Sequence, residues 1–87
     1  MIFVPMLQDH LIEEITKVVS EKLTALRKQR GYSSHENFAM DNDIARMQYW
    51  RIEKGKTNIT LSTLAKLLAI HQVSLSDFFS DVKLPKE

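Results

Sequence analysis

The side chains of Arg46, Gln48 and Arg51, within the run Ala45-Arg-Met-Gln-Tyr-Trp-Arg-Ile-Glu-Lys-Gly-Lys56, point most directly to chemistry. Guanidinium and amide groups donate and accept hydrogen bonds, and none of the three is a nucleophile or a proton shuttle at neutral pH. Upstream lies Ser34-His-Glu-Asn-Phe-Ala, joined to the basic run by a short acidic link. Apolar residues recur at Phe38, Ala39, Ile44, Tyr49 and Ile52 while Arg46, Gln48 and Arg51 take the opposite face. Two short helices meeting at a tight turn, the second polar on its outer side, are the build of a nucleic-acid reader.

Catalysis and metal binding find no comparable arrangement, so the expected catalytic residues, metal ligands and cofactors are none. His10, His35 and His71 are scattered, none stands at ligand spacing with a second donor, and cysteine is absent. Ser33, Ser34, His35 and Glu36 contain triad-type groups, but neighbours within one helical turn cannot point at one another.

Composition sets the frame. With 87 residues, 44% apolar and 26% charged, the chain suits one small globular domain. Without cysteine no disulfide supports it, and a reducing cytoplasmic setting is expected. Met1-Ile-Phe-Val-Pro-Met-Leu7 is apolar but lacks a basic leader and reaches Gln8-Asp9-His10 too soon for a signal peptide or a membrane span. It is expected to form a strand-like or packed arm, with no membrane partner. Net charge is only +1, so attraction to polyanions rests on distribution. Residues 45–56 hold Arg46, Arg51, Lys54 and Lys56 against Glu53, whereas residues 31–44 hold only Glu36, Asp41 and Asp43.

The elements that must position these groups are all helical. Two glycines and two prolines fall outside the expected helix interiors, and Gly31 and Gly55 read as helix stops. Leu7, Leu11, Ile15, Val18, Val19, Leu23 and Leu26 form one stripe on a long first helix ending in Arg27-Lys28-Gln29-Arg30. Cations there suit the negative end of the helix dipole. Ser33 or Ser34 caps the second helix; the third runs from about Ala45 to Lys54. Thr60 and Ser74 cap two more, the fourth turning Leu61, Leu64, Leu67 and Leu68 inward and the fifth Phe78 and Phe79. Ser74 and Asp77 have capping-box spacing, Glu53 is placed to pair with Arg27 or Arg30, and the tail after Ser80 reads as frayed.

Over residues 23–80 the chain resembles the Xre-type helix-turn-helix regulators related to the lambdoid Cro and C1 repressors. The resemblance is carried by Leu26-Arg-Lys-Gln-Arg-Gly-Tyr32, by Glu36 and Phe38-Ala39, and by Ile52-Glu-Lys-Gly-Lys56. It continues through Leu61, Thr63-Leu64, Lys66-Leu67, Val73-Ser74 and Phe78-Phe79. It implies an all-α, five-helix lambda-repressor-like domain, here with an extended N-terminal helix. Placing Ala39 on the family's alanine selects Ser34 as the cap of the second helix. Three positions depart from the family's habit. His35 stands for the usual Gln, Asp43 for the turn Gly, and Ala45 for a capping Ser or Thr, which forfeits about 1 kcal/mol. The Asp43 carboxylate is a candidate substitute for that cap.

The resemblance implies sequence-specific binding of double-stranded DNA by a small bacterial transcriptional regulator, a repressor, with the third helix in the major groove. Base edges would be met by Arg46, Met47, Gln48 and Arg51: arginine bidentate on guanine, glutamine on adenine, methionine only against a thymine methyl. Phosphates would be met by His35, Trp50, Lys54, Lys56, Thr57 and Asn58. The plain alternatives are that Arg46 and Arg51 are solvated surface charges and that Trp50 packs on the protein, its indole N–H being its route to a phosphate.

Residues 1–22 precede the matched core as an arm and helical extension, and 81–87 follow it as a tail. A single small reader makes few base contacts, so a homodimer on an inverted-repeat operator is expected, with Leu7, Leu11, Ile15, Val18 and Val19 as the candidate interface. The rival reading is a protein-interaction module or an antitoxin acting mainly through a protein partner, since fold alone does not fix function. It would be expected to lose Arg46, Arg51 and Lys56, which are present.

Overall fold

The computed structural model describes residues 4–81, with side chains from Leu7 onward. Five helices follow in order: α1 (Val4–Gln29), α2 (His35–Asp41), α3 (Arg46–Glu53), α4 (Leu61–His71) and α5 (Leu75–Phe78). Among the described residues there is no strand. The opening segment differs from expectation, because from Val4 it is already helix rather than a strand-like arm. Pro5 sits in the first turn, where its missing N–H has no intrahelical partner to lose. Residues 1–3 and the tail from 82 lie outside the described residues.

Local chemistry sets the helix boundaries. Ser34, Thr60 and Ser74 have extended backbones and accept the N–H of Asn37, Thr63 and Asp77 at 3.0, 3.1 and 3.1 Å. Each satisfies a donor that the helix start leaves without a partner. Four helices stop by one device. After α1, Gly31 and Tyr32 donate back to the carbonyls of Lys28 and Arg27, with Gly31 at φ 91°. The same pair of bonds closes α3 around Gly55 (φ 67°), α2 around Asp43 (φ 57°) and α4 around Gln72 (φ 57°). This is the Schellman motif, which requires one left-handed residue. Two of the four ends use a residue with a Cβ.

The core is gathered around Phe38 of α2. Its ring meets Tyr49 of α3 at 5.0 Å, the edge of Tyr32 at 5.3 Å, and His71 of α4 at 5.2 Å with the two rings nearly parallel. Val19, Leu23, Ala39, Ile52, Leu64, Leu67, Leu68 and Phe78 complete the buried set. Burying a side chain of the size of Phe38 or Leu67 contributes about 1.5–3 kcal/mol each. Phe78 is buried, whereas Phe79 is half-buried against it, edge to face at 4.9 Å.

Two expected core positions lie elsewhere. Leu61 is 84% exposed. It shares a helical face with Leu64 and Leu68, but as the first residue of α4 its side chain leans beyond the edge of the core. Ile15 is 42% exposed for a related reason. A helix of 26 residues spans about 39 Å and the facing eight-residue α3 only about 12 Å. The core therefore takes α1 mainly from Val19 onward.

Arg27 and Glu53 join α1 to α3 inside this frame. The guanidinium donates from Nε and Nη2 to the two carboxylate oxygens at 2.7 and 3.0 Å, and from Nη1 to the Tyr32 carbonyl at 2.7 Å. Both side chains are 7% exposed. Burial pushes the Glu53 carboxyl up, yet the Arg27 hydrogen bonds and charge, together with the neighbouring Tyr49 and Thr24 hydroxyls, hold the group below the ordinary carboxylate range. Those same bonds hold the Arg27 guanidinium above its usual value. The buried Tyr49 hydroxyl lies beside the pair without completing a hydrogen bond, and burial pushes its ionisation far up.

His71 carries a consequence for acid stability. It is 9% exposed, and among the described residues neither ring nitrogen has a hydrogen-bond partner. Burial, then the positive charge of Arg30, lowers its basicity against a smaller opposing pull from Glu53. Below about pH 6.5 the unfolded chain takes up a proton that the folded chain refuses, so stability falls as the pH drops through that value. Chemical denaturation between pH 7.5 and 5.5 should show the native chain losing stability while His71→Leu stays nearly flat.

Candidate nucleic-acid interface

The geometry of α2 and α3 follows from the turn between them. Asn42 donates its side-chain amide to the Phe38 carbonyl at 2.9 Å, and Ile44 donates its N–H to Ala39 at 2.8 Å. Asp43 takes the left-handed conformation for which this position normally favours glycine. Lys66 of α4 reaches over to donate to the Asp43 carbonyl at 3.1 Å. Ala45 is the N-cap of α3, with an extended backbone and no side-chain capping bond. Among the described residues the Asp43 carboxylate makes no hydrogen bond to the start of α3, which leaves it only the favourable interaction of its charge with the helix dipole.

This turn fixes which side of α3 faces outward. Tyr49 and Ile52 are buried, as the apolar spacing predicts. Arg46, Met47, Gln48 and Arg51 are all exposed, Met47 at 62%. Trp50 is half-buried between the two sides and lines a shallow hollow of about 310 Å³ with His35, Glu36, Arg46 and Met47. His35, in the first turn of α2, is also half-buried.

Beyond Gly55 the chain crosses from α3 to α4. Lys54, Lys56 and Asn58 are exposed there and Thr57 is half-buried. Thr57 shares a hollow of about 290 Å³ with Met47, Gln48 and Arg51, so the outer face of α3 is continuous with this loop. Gly55 is held close to α1: a Cβ there would meet Ser20 Oγ at 3.6 Å and Thr16 Cγ2 at 3.7 Å, on a backbone already at φ 67°.

The candidate DNA-contacting residues thus divide between the outside of α3 with its following loop, and the start of α2 opposite it. One pairing was not visible in the sequence: Arg46 Nη1 donates to Glu36 Oε2 at 3.4 Å, between side chains 65% and 55% exposed. Their separation of ten residues gives no periodic signal. On α1, Leu7, Leu11 and Val18 are half-buried and Ile15 exposed, whereas Val19 is only 4% exposed within the domain's own core. Ile12, outside the expected stripe, is 37% exposed.

Residues 23–78, well over half the chain, match the sequence profile of the helix-turn-helix family. The chain belongs to that family. It is a DNA-binding regulator of the helix-turn-helix class, and the expected five-helix architecture is the one observed. It is 42% identical over 62 residues to the control protein C.MunI of a Mycoplasma species, a match covering 71% of this chain and 84% of that protein. It is 35% identical over 51 residues to the plasmid copy control protein CopR of Streptococcus agalactiae, covering 59% and 55%. It is 33% identical over 67 residues to the transcriptional regulator PuuR of Escherichia coli, covering 77% of this chain but 36% of PuuR. No solved structure matches the chain.

Among the described residues no helix is long and apolar enough to cross a membrane, and no three His, Asp or Glu side chains are grouped to hold a metal ion. Helix-turn-helix regulators act through the surface of their reading helix. Here α3 begins without a side-chain cap. Ala45→Ser supplies a hydroxyl acceptor at a backbone already in capping conformation, and should raise the unfolding free energy by about 1 kcal/mol, measured by urea denaturation.

Proposed function

We propose that the chain is a homodimeric repressor that binds an inverted-repeat operator, acting in the cytoplasm, with α3 lying in the major groove. One observation carries this reading: Arg46, Met47, Gln48 and Arg51 are together exposed on the side of α3 opposite its buried Tyr49 and Ile52. Arg46 and Arg51 offer bidentate donors to guanine, Gln48 a donor and acceptor to adenine, and Met47 an apolar contact to a thymine methyl.

Phosphates are assigned to His35 and Trp50 on one flank and to Lys54, Lys56, Thr57 and Asn58 on the other. These contacts set position without reading sequence, and the cationic ones release counterions, so affinity falls steeply as salt rises. The relatives, a control protein, a plasmid copy control protein and a transcriptional regulator, agree with a role in setting expression.

The dimer is assigned to the extension at residues 1–22, ahead of the matched core. Ile12 and Ile15 leave apolar surface open on α1, next to half-buried Leu7, Leu11 and Val18. Val19 is committed to the core and drops out of this face. Two subunits joined there read two half-sites about one helical turn apart.

Selection of bound sequences from a random duplex pool at physiological salt tests the assignment. The native chain should enrich an inverted repeat, and an Arg46→Ala, Arg51→Ala double variant should lose it while unfolding at nearly the native temperature. No enrichment by the native chain, or an unchanged motif from the variant, would move the function to a protein partner or to another surface.

A further inference from the structure

Arg46 is the first residue of α3 and Glu36 the second of α2, and the turn between the helices brings their side chains together across the hollow shared with His35, Met47 and Trp50. Only Nη1 of the guanidinium contacts Glu36, at 3.4 Å. A guanidinium has five N–H donors in a rigid fork, so most of them remain open on an exposed side chain. An untethered arginine at such a site loses considerable rotamer freedom when it docks, and it also reaches phosphates of any sequence. A carboxylate beside it changes both properties.

We propose that Glu36 is a specificity-determining residue that positions the Arg46 guanidinium for one base and withholds it from the others. This rests on Arg46 reading a base edge. The carboxylate holds one N–H from the side and leaves the rest of the fork to meet an acceptor pair. Guanine offers such a pair, O6 and N7, in the major groove, and no other base does. Where the base offers less, Glu36 remains the better acceptor and keeps the Arg46 guanidinium from the base and from neighbouring phosphates, so wrong sites are bound less tightly.

The contact is solvent-exposed, which keeps it weak enough to yield to the correct base. Exposed pairs of this kind are worth roughly two- to fivefold in an equilibrium, the scale on which discrimination at one base pair should change. The plain alternative is that Glu36 only complements the dipole at the start of α2, as an acidic first-turn residue does. That role predicts a small loss of helix stability and no change in base preference.

Two variants separate these roles when each is taken through the duplex selection beside the native chain and Arg46→Ala. Glu36→Gln keeps the size and removes the charge, while Glu36→Asp keeps the charge and shortens the reach. The expected result is that both reduce the preference at the same base pair that Arg46→Ala relaxes, by roughly two- to fivefold. Preferences elsewhere should stay unchanged, with Glu36→Gln also tightening binding to unselected duplex. Positioning by Glu36 is overturned, with base reading by Arg46 intact, if Glu36→Asp matches the native chain or if Glu36→Gln strengthens binding equally at every sequence. If Arg46→Ala itself leaves all preferences unchanged, base reading by Arg46 falls and the role of Glu36 falls with it.

Discussion

The placement of α3 depends on one buried ion pair. Arg27, near the end of α1, holds both oxygens of Glu53, the last residue of α3, and spends its remaining reach on the Tyr32 carbonyl just after α1. A charge pair at 7% exposure is costly to desolvate, and this one is sustained by two hydrogen bonds between the partners and a third from Arg27 to the Tyr32 carbonyl. The same contact fixes three things: the C-terminal end of α3, the end of α1, and the direction in which the chain leaves α1 toward α2. The outer face of α3 is then whatever the core does not use.

Phe38 supplies the second constraint. Tyr49 packs against it from α3, His71 from α4 and Tyr32 from the α1–α2 link, so α2 is held on several sides and carries α3 with it through a four-residue turn. The cost accepted at this centre is polar. Tyr49 and His71 each bury nitrogen or oxygen atoms without a partner among the described residues. Such atoms weaken a core, and one of them ties its stability to protonation.

What the sequence makes legible is what local rules decide. Ser34, Thr60 and Ser74 are caps because a hydroxyl before a helix meets an N–H three residues on, which depends on no distant neighbour. Gly31 and Gly55 stop helices because they take the left-handed conformation at no steric cost. The matching ends at Asp43 and Gln72 carry no such mark, and Gln72 in particular is left-handed because Val73 must fold back onto Leu68. Periodicity assigns a face but not how far the core extends along it, which is why Leu61 and Ile15 point outward despite correct phase. Within the candidate interface, the outward set on α3 follows from its buried partners. The Arg46–Glu36 contact depends on the angle between two helices, which spacing does not encode.

The account's central claim is that the Arg27–Glu53 pair holds α3 in its place against α1. The direct measurement is the unfolding free energy of Arg27→Met, of Glu53→Leu, and of the two together. Each single change leaves one buried charge alone and should cost about 3–5 kcal/mol, a large share of what a domain of this size possesses. The double change removes both charges and should recover most of that loss. Single variants within about 1 kcal/mol of the native chain, or a double variant equal to the sum of the singles, would contradict the claim.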